Sequence, residues 1–320
     1  MIARLTTIPL STGAIVMATG IVAIGMSRIR VTAISEPLLV VASAIWLCLL
    51  AATAVRLSAD PRELGSELSS PAALTLVAAT AVLGTAAAGL GWVIPAAGLL
   101  LLAIALLGLV LVPVLRRWQT PTRGLSFLLP VAVASISVAA AALSGSTQAR
   151  WLVVPAVGAW GLALAAYLFV VIRFDFRELL RGRGDHWVAG GALAIATLAG
   201  GEVCLRLRLS GNSLSLSWEM AVVVLWAAAS AGIGGLLVGE LASPRAGHHH
   251  LRWATVFPLG MYGVCSLVLG SVTGMAALLT LGRVFVWVGF GAWLLVAAAL
   301  LLRGLALGMS WPDSHQAGGG

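Results

Sequence analysis

Charged residues are scarce in this chain. Only 9% of its 320 residues carry a charge, whereas 60% are hydrophobic. Lysine is absent, so all 19 basic residues are arginine, and with 11 acidic residues they give a formal net charge of +8. In a soluble globular protein roughly a quarter of the residues are charged. The composition therefore excludes an ordinary soluble fold and indicates that lipid surrounds most of the chain.

The residues that would carry out chemistry inside a membrane are also missing. The sequence contains no HExxH zinc motif, no GxSxG nucleophile elbow and no pair of carboxylates at helical spacing within an apolar stretch. Its three cysteines stand alone, without the spacing of a metal site or a disulfide framework. The histidine run at 248–250 is interpreted as part of a solvated loop. We therefore expect no catalytic residues, no metal site and no cofactor, and the enzyme hypothesis has little support.

Long apolar stretches dominate what is present. A bilayer core about 30 Å thick requires roughly 20 apolar residues per helix. Charged or turn-rich breaks divide the sequence into ten such stretches, predicted at 8–27, 36–56, 72–91, 93–115, 125–144, 152–172, 187–205, 217–239, 253–281 and 284–307. The first has no basic leader and no cleavage site, so it is expected to be retained.

These stretches predict an all-α integral membrane protein. Its ten transmembrane helices are expected to form five helical hairpins in a single domain over residues 1–311. Residues 312–320 are expected to form a disordered, glycine-rich tail.

The arginines predict the topology. With the N-terminus inside, thirteen of the nineteen arginines fall in cytoplasmic segments. The six predicted outside are Arg28, Arg30, Arg150, Arg206, Arg208 and Arg283. The positive-inside rule then places both termini in the cytoplasm of a protein of the cell membrane. Topology thus accounts for the basic charge without a nucleic-acid partner.

Hydroxyl-bearing residues and glycines concentrate in the odd-numbered stretches. For any single residue, close helix packing is the favoured explanation. The bias itself predicts an inner ring of odd helices with the even helices outside. Pro130 and Pro258 are expected to kink their helices. The candidate pore-lining residues are Gly13, Thr19, Gly20, Thr80, Gly84, Pro130, Ser135, Thr197, Pro258 and Gly260.

Three segments resemble signatures of the tellurite-resistance/dicarboxylate transporter family. They are VMATGIVAIG at 16–25, WATVFPLGMY at 253–262 and, more weakly, HWVAGGALAIATLAG at 186–200. The family includes bacterial tellurite-resistance proteins, fungal malate and sulfite transporters and plant guard-cell slow anion channels. The resemblance implies a central pore ringed by the five odd helices, in subunits that often assemble as homotrimers.

The resemblance also implies a gate. The occluding phenylalanine of the family's ninth helix falls on Phe257, where a large apolar ring can block and dewet a narrow pore. Phe257 lies only about 7 Å along the helix from Arg252, so a gate deep in the membrane requires an inward cavity. The alternative is that Phe257 packs against lipid or the tenth helix.

The favoured function is passage of a small inorganic or organic anion across the bilayer, as a channel or uniporter. With no arginine predicted at the bilayer centre, the positive ends of five odd helices and hydroxyl donors would supply the field. The absence of a buried acid favours uncoupled passage over a proton-coupled exporter of sulfite, a C4-dicarboxylate or a tellurium oxyanion. A third alternative is a structural membrane protein whose odd helices pack tightly and leave no continuous path.

Overall fold

Ten long apolar helices make up most of the molecule. The computed structural model describes residues 8–179, 186–209, 215–242 and 252–309, so the predicted tail and the histidine run lie outside the described residues. Each of the ten is long and apolar enough to cross a membrane, which confirms the predicted all-α membrane protein with ten spans. The helices are α1 (Gly13–Arg28), α2 (Thr32–Ala59), α3 (Leu74–Gly89), α4 (Val93–Arg116), α5 (Leu128–Thr147), α6 (Val153–Val171), α7 (Trp187–Leu209), α8 (Ser215–Ala242), α9 (Trp253–Thr273) and α10 (Ala276–Met309).

The boundary between the last two helices differs from the prediction. Hydropathy extends the ninth span to residue 281, but α9 ends at Thr273 and α10 begins at Ala276. Gly274 adopts a left-handed conformation with φ +74°, which ends α9. The residues that follow are apolar, so hydropathy carries no sign of this turn. Arg283, predicted in a loop, consequently lies within α10.

The helices form two layers. In the odd-numbered helices, between 72% and 89% of the most apolar 18-residue window is buried. In the even-numbered helices the buried share is only 11% to 22%. The even helices expose mainly leucine, valine and isoleucine side chains, as expected for surfaces that face lipid. We therefore call α1, α3, α5, α7 and α9 the inner helices and the other five the outer helices.

The inner helices close into a ring. Helix α1 packs against α3, α3 against α5, α5 against α7 and α7 against α9, and α9 packs against α1. Each outer helix packs against the inner helix that precedes it in the chain. Each inner helix thus has two inner neighbours along the ring and an outer helix beside it.

Tryptophans of the outer helices donate hydrogen bonds to the inner helices. Three of these bonds end on hydroxyls, from Trp46 to Thr80 (3.0 Å), from Trp226 to Ser266 (2.9 Å) and from Trp293 to Thr19 (2.9 Å). Two end on carbonyls of α7, from Trp160 to Ala196 and from Trp218 to Gly200, both at 2.9 Å. A buried indole N–H needs a partner, so these bonds favour one rotation of each inner helix against the outer layer.

The backbones of α9 and α10 touch. A Cβ atom added at Gly263 would lie 2.7 Å from the backbone nitrogen of Val286, and one added at Gly289 would lie 3.0 Å from the Cα atom of Gly260. Glycine is required at this approach because any side chain would force the two helices apart. Small residues commonly serve this role between membrane helices, where packing rather than the hydrophobic effect drives association.

A buried arginine holds the start of α1 in place. A short helix, Pro61–Leu68, connects α2 to α3 and carries Glu67. The Glu67 carboxylate accepts hydrogen bonds from Arg56 Nη1 (2.9 Å) and from the backbone nitrogen of Leu10 (3.2 Å). Arg56 also donates to the Ile8 carbonyl at 3.0 Å. These bonds hold residues 8–10, which lead into α1, against α2.

A double-mutant cycle tests the contact between the two layers. We expect Trp293→Phe and Thr19→Val each to lower the free energy of unfolding in detergent micelles, with a coupling of about 0.6 kcal/mol, because both remove the same hydrogen bond. Trp287→Phe is the control, since Trp287 lies on the same helix and is 48% exposed. Additive effects of the two substitutions would contradict the assigned bond.

Candidate functional site

A cavity of about 300 Å³ lies where the inner helices begin, and we call it the N-side cavity. Every inner helix contributes to its wall close to that helix's start. The contributing residues include Thr12 and Ile15 from α1 and the turn before it, Thr75 from α3, Leu128 from α5, Val188 from α7, and Ala254 and Phe257 from α9. Because five helix starts meet at one cavity, the inner helices run parallel to one another.

This parallel arrangement gives the N-side cavity a positive character. The start of a helix carries about half a positive charge from its aligned peptide dipoles. None of the described residues that line the cavity carries a charge. An anion that enters it would therefore meet positive dipole ends, with no charged side chain among the described residues of the wall.

Phe257 forms part of the wall of the N-side cavity and is only 4% exposed. Its ring lies over Gly191 of α7, because a Cβ atom added at Gly191 would be 3.1 Å from both Cδ1 and Cε1 of the ring. Pro258 contacts the same glycine, with its Cγ 3.0 Å from that position. The cavity thus extends from the helix starts to Phe257, and the ring bridges α9 and α7. Sequence reasoning did not single out Gly191, although it belongs to the segment 186–200 that resembles the family.

Two of the hydroxyls predicted to line a pore are bonded to the outer layer. Thr19 accepts its hydrogen bond from Trp293 of α10, and Thr80 accepts one from Trp46 of α2. Both threonines are fully buried. The rotation of α1 and α3 directs these hydroxyls outward, so we assign them to packing between the layers.

The hydroxyls of Ser135 and Thr197 are bonded within their own helices. Ser135 donates to the Val131 carbonyl at 2.8 Å, and Thr197 donates to the Leu193 carbonyl at 2.9 Å. Each hydroxyl has one hydrogen to give, so in this arrangement it presents an acceptor to its surroundings. Their role as anion donors stays a prediction, and it requires the hydroxyls to rotate.

The four glycine candidates lie where helices meet. A Cβ atom added at Gly13 would lie 2.7 Å from Oγ1 of Thr75, and one added at Gly20 would lie 2.6 Å from Cγ1 of Val82. A Cβ atom added at Gly84 would lie 3.3 Å from Cβ of Leu99, and one added at Gly260 would lie 3.1 Å from Cγ2 of Ile21. These neighbours belong to α3, α3, α4 and α1, respectively. Close helix packing therefore accounts for all four glycines.

The two proline candidates differ in position. Pro130 is the third residue of α5, within the first turn, where an amide hydrogen is not needed for the helix. This position does not by itself require a kink, so the kink expected at Pro130 stays a prediction. Pro258 lies inside α9, where it removes the hydrogen that would bond the carbonyl of Ala254, a residue on the wall of the N-side cavity.

A second cavity, of about 570 Å³, lies where four of the inner helices, α1, α3, α5 and α7, end, and we call it the C-side cavity. Its wall includes Ser27 and Arg28 of α1, Thr85 of α3, Ser146 of α5, and Glu202 and Arg206 of α7. The start of α2 contributes Ser35. Since α1 begins at one cavity and ends at the other, the two cavities lie at opposite ends of the ring.

A buried carboxylate joins two arginines in the C-side cavity. Glu202 is 1% exposed, and its Oε1 accepts a hydrogen bond from Nη2 of Arg28. Its Oε2 pairs with Nη2 of Arg206 at 3.5 Å. The guanidinium of Arg206 lies against Gly145 of α5, where any Cβ atom would overlap it. The cluster therefore links three inner helices and supplies the counter-charge that a buried carboxylate requires.

This cluster corrects two sequence-based expectations. Arg206 and Arg208 were expected in an outside segment beyond a span that ends at 205, but α7 continues to Leu209. No acid was expected to be buried, yet Glu202 is. The spacing of Glu202 and Arg206, four residues apart on one helix, is a local sign of an ion pair. Arg28 is 174 residues away along the chain, so no local pattern indicates it.

The described ranges hold no group of three or more His, Cys, Asp or Glu side chains that could bind a metal ion. Within them, Cys204 and Cys265 are buried, Cys48 is exposed, and none of the three forms a disulfide. For an anion, the N-side cavity thus provides the positive starts of helices, and the C-side cavity provides two arginines.

Comparison with known proteins shows the family of this chain. The chain matches the family model described as voltage-dependent anion channel (SLAC1) over residues 7–301. It is also 31% identical, over 146 residues, to an uncharacterized membrane protein of Mycobacterium tuberculosis found in two strains. That match covers 42% of this chain and 71% of the relative. The resemblance to the tellurite-resistance/dicarboxylate transporter family is confirmed, and the members of this family are channels or transporters rather than enzymes. Membership in this family supports anion transport in general. The chain belongs to the voltage-dependent anion channel family.

Proposed function

We propose that the protein lets a small anion cross the membrane through the inner ring, as a channel or uniporter. The observation that carries this proposal is a pair of cavities at opposite ends of a closed ring of parallel helices. Phe257 on the wall of the N-side cavity is proposed as the gate. The anion would move between the two cavities past the aromatic ring of Phe257.

Helix dipoles support entry from the N-side cavity. An anion that leaves water loses hydration energy and needs compensation inside a low-dielectric protein. Five positive helix ends provide it without a fixed cation, so the anion is attracted but not held tightly. Weak, distributed attraction of this kind suits conduction, which requires that the ion also leaves.

The position of Phe257 supports its role as a gate. Its buried aromatic ring lies on the wall of the N-side cavity and packs against Gly191 of α7. An apolar ring in a narrow passage excludes water as well as ions. Pro258 follows it directly, and a proline inside a helix is a site where the helix can bend.

Glu202 favours a second candidate function, a proton-coupled exporter of sulfite, a C4-dicarboxylate or a tellurium oxyanion. A carboxylate that is 1% exposed is the kind of titratable group that coupling needs. Glu202 is paired with two arginines and serves as their counter-charge, a structural role that supports uncoupled passage as the first candidate. A step in pH alone separates the two, since only a coupled exporter would then drive the anion uphill.

We also propose an orientation and an assembly. The arginine distribution supports both termini in the cytoplasm of the cell membrane, so the N-side cavity would open to the cytoplasm. Cytoplasmic anions would then meet the positive helix ends first. The family resemblance supports a homotrimer in which each subunit has its own pathway.

Cysteine labelling tests whether the two cavities open on opposite sides. In protein whose three native cysteines are replaced by alanine, we expect Ser11→Cys to react with a membrane-impermeant thiol reagent from one side of proteoliposomes. Ser146→Cys should react from the other side, because the two serines are exposed and line different cavities. Ser137→Cys is the control and should resist labelling, since Ser137 is buried and bonded to the Ala156 carbonyl of α6. Labelling of Ser11→Cys and Ser146→Cys from the same side would contradict the arrangement.

Substitution of the proposed gate tests the pathway. We expect Phe257→Ala to raise anion flux into proteoliposomes about tenfold, the effect of lowering the barrier by about 1.4 kcal/mol. Phe257→Leu should restore most of the block because leucine keeps an apolar side chain in the passage. The measurement is chloride or nitrate flux at matched protein content.

A phenylalanine outside both cavities supplies the control for this test. Phe285→Ala removes a ring of α10 that packs on Tyr262, with centroids 4.6 Å apart, and flux should stay near that of the unchanged protein. Equal flux through Phe257→Ala and the unchanged protein, with both folded, would remove Phe257 as the gate.

A further inference from the structure

The C-side cavity poses an electrostatic problem for a passing anion. The last turns of α1, α3, α5 and α7 meet there, and the end of a helix carries about half a negative charge. These ends repel an anion, whereas the helix starts at the N-side cavity attract it. An anion therefore needs a positive side chain at the C-side cavity, and Arg28 and Arg206 are the basic residues on its wall.

The two arginines face the same point. They reach Glu202 from different helices and contact different oxygens of one carboxylate. The guanidinium groups are partly exposed, with side-chain exposures of 34% for Arg28 and 20% for Arg206, whereas Glu202 is buried. Two arginines against one glutamate leave one net positive charge among the described residues that line the cavity.

The surroundings of the arginines suit a small polar ligand. Ser27, Thr85 and Ser146 also line this cavity, and a guanidinium presents several N–H donors in a planar fork that matches oxyanions. The missing side chain at Gly145 leaves room for the Arg206 guanidinium against α5. The volume of about 570 Å³ is more than a small anion and several waters occupy.

We infer that Arg28 and Arg206 form an anion-binding site in the C-side cavity and that the Glu202 carboxylate is a built-in anion that occupies it. A small inorganic anion or a small carboxylate competes with Glu202 for the two guanidinium groups. With the site empty, Glu202 keeps the two like charges together against the negative helix ends. The role of this site in passage rests on the proposed function, but the binding itself does not.

An anion site occupied by Glu202 differs from a purely structural ion pair in its consequence for anion binding. If Glu202 only held helices together, its loss would weaken the fold and leave the affinity for anions unchanged. If Glu202 competes with the ligand, its loss must both weaken the fold and raise the affinity. The same anion must then restore stability, because a ligand that binds only the folded state stabilises it by mass action.

The test uses the full chain in detergent, with nitrate as the probe. The melting temperature of the protein is measured against nitrate concentration, at an ionic strength held constant with the bulky anion gluconate. We expect Glu202→Gln to melt below the unchanged protein without nitrate and to be restabilised by it, with an apparent Kd at least about tenfold lower. Formate, a small carboxylate, should act similarly because it presents the same fork of acceptors.

Two controls decide the assignment. Glu219→Gln removes a carboxylate that pairs with Arg208 at 3.5 Å and does not line the C-side cavity, so it should leave the nitrate response unchanged. Arg28→Gln, made in the otherwise unchanged chain, should abolish the nitrate response even if Glu202→Gln fails to fold. Equal nitrate responses from Arg28→Gln and the unchanged protein, or no gain in affinity from Glu202→Gln when it folds, would overturn the inference.

Flux measurements separate this inference from the proposed function. If the unchanged protein moves no anion in proteoliposomes but Glu202→Gln still gains nitrate affinity, the proposed function fails and the binding site stands. If flux is present but the substitutions leave nitrate binding unchanged, the pathway stands and the site is overturned.

Discussion

The hydrogen bonds that outer-helix tryptophans donate to the inner helices favour one rotation of the inner ring. Trp46 and Trp293 each place an indole N–H on a threonine of the neighbouring inner helix, and Trp160 and Trp218 reach carbonyls of α7. In lipid an unbonded indole would lose this partner without gaining water in its place. The hydroxyls that suggested a polar pore are therefore partly used between the layers. An anion crossing the ring must rely more on the electrostatics of its two ends.

Those two ends differ because the inner helices are parallel. At the N-side cavity, five helix starts supply positive charge and no described lining residue is charged. At the C-side cavity, helix ends supply negative charge, and Arg28 and Arg206 counter it. A ring of alternating helix directions would cancel both effects. The chain avoids this by making each outer helix the return segment, which leaves the lipid-facing layer to run in the opposite direction.

The sequence was sufficient for the number of helices, the division into inner and outer sets and the family. Each of these depends on patterns that repeat within a span or on local motifs such as MATGIV and FPLGMY. The end of α9 was not predictable from hydropathy, because Gly274 turns the chain within an apolar stretch. The direction of the Thr19 and Thr80 hydroxyls depends on helix rotation, which is set by tryptophans on other helices. The pairing of Glu202 with Arg28 depends on tertiary contact between α1 and α7, which no local pattern indicates. Only the pairing of Glu202 with Arg206, four residues along the same helix, could be found from the sequence.

In the proposed pathway an anion crosses the ring of inner helices without a coupled proton. The most direct test is the reversal potential of the purified protein in a planar bilayer, with a chloride gradient across it and the same pH on both sides. If passage is uncoupled, the current reverses at the Nernst potential of chloride, and a later pH step does not move this potential. A reversal potential that follows the cation, or one that shifts with the pH gradient, would contradict it.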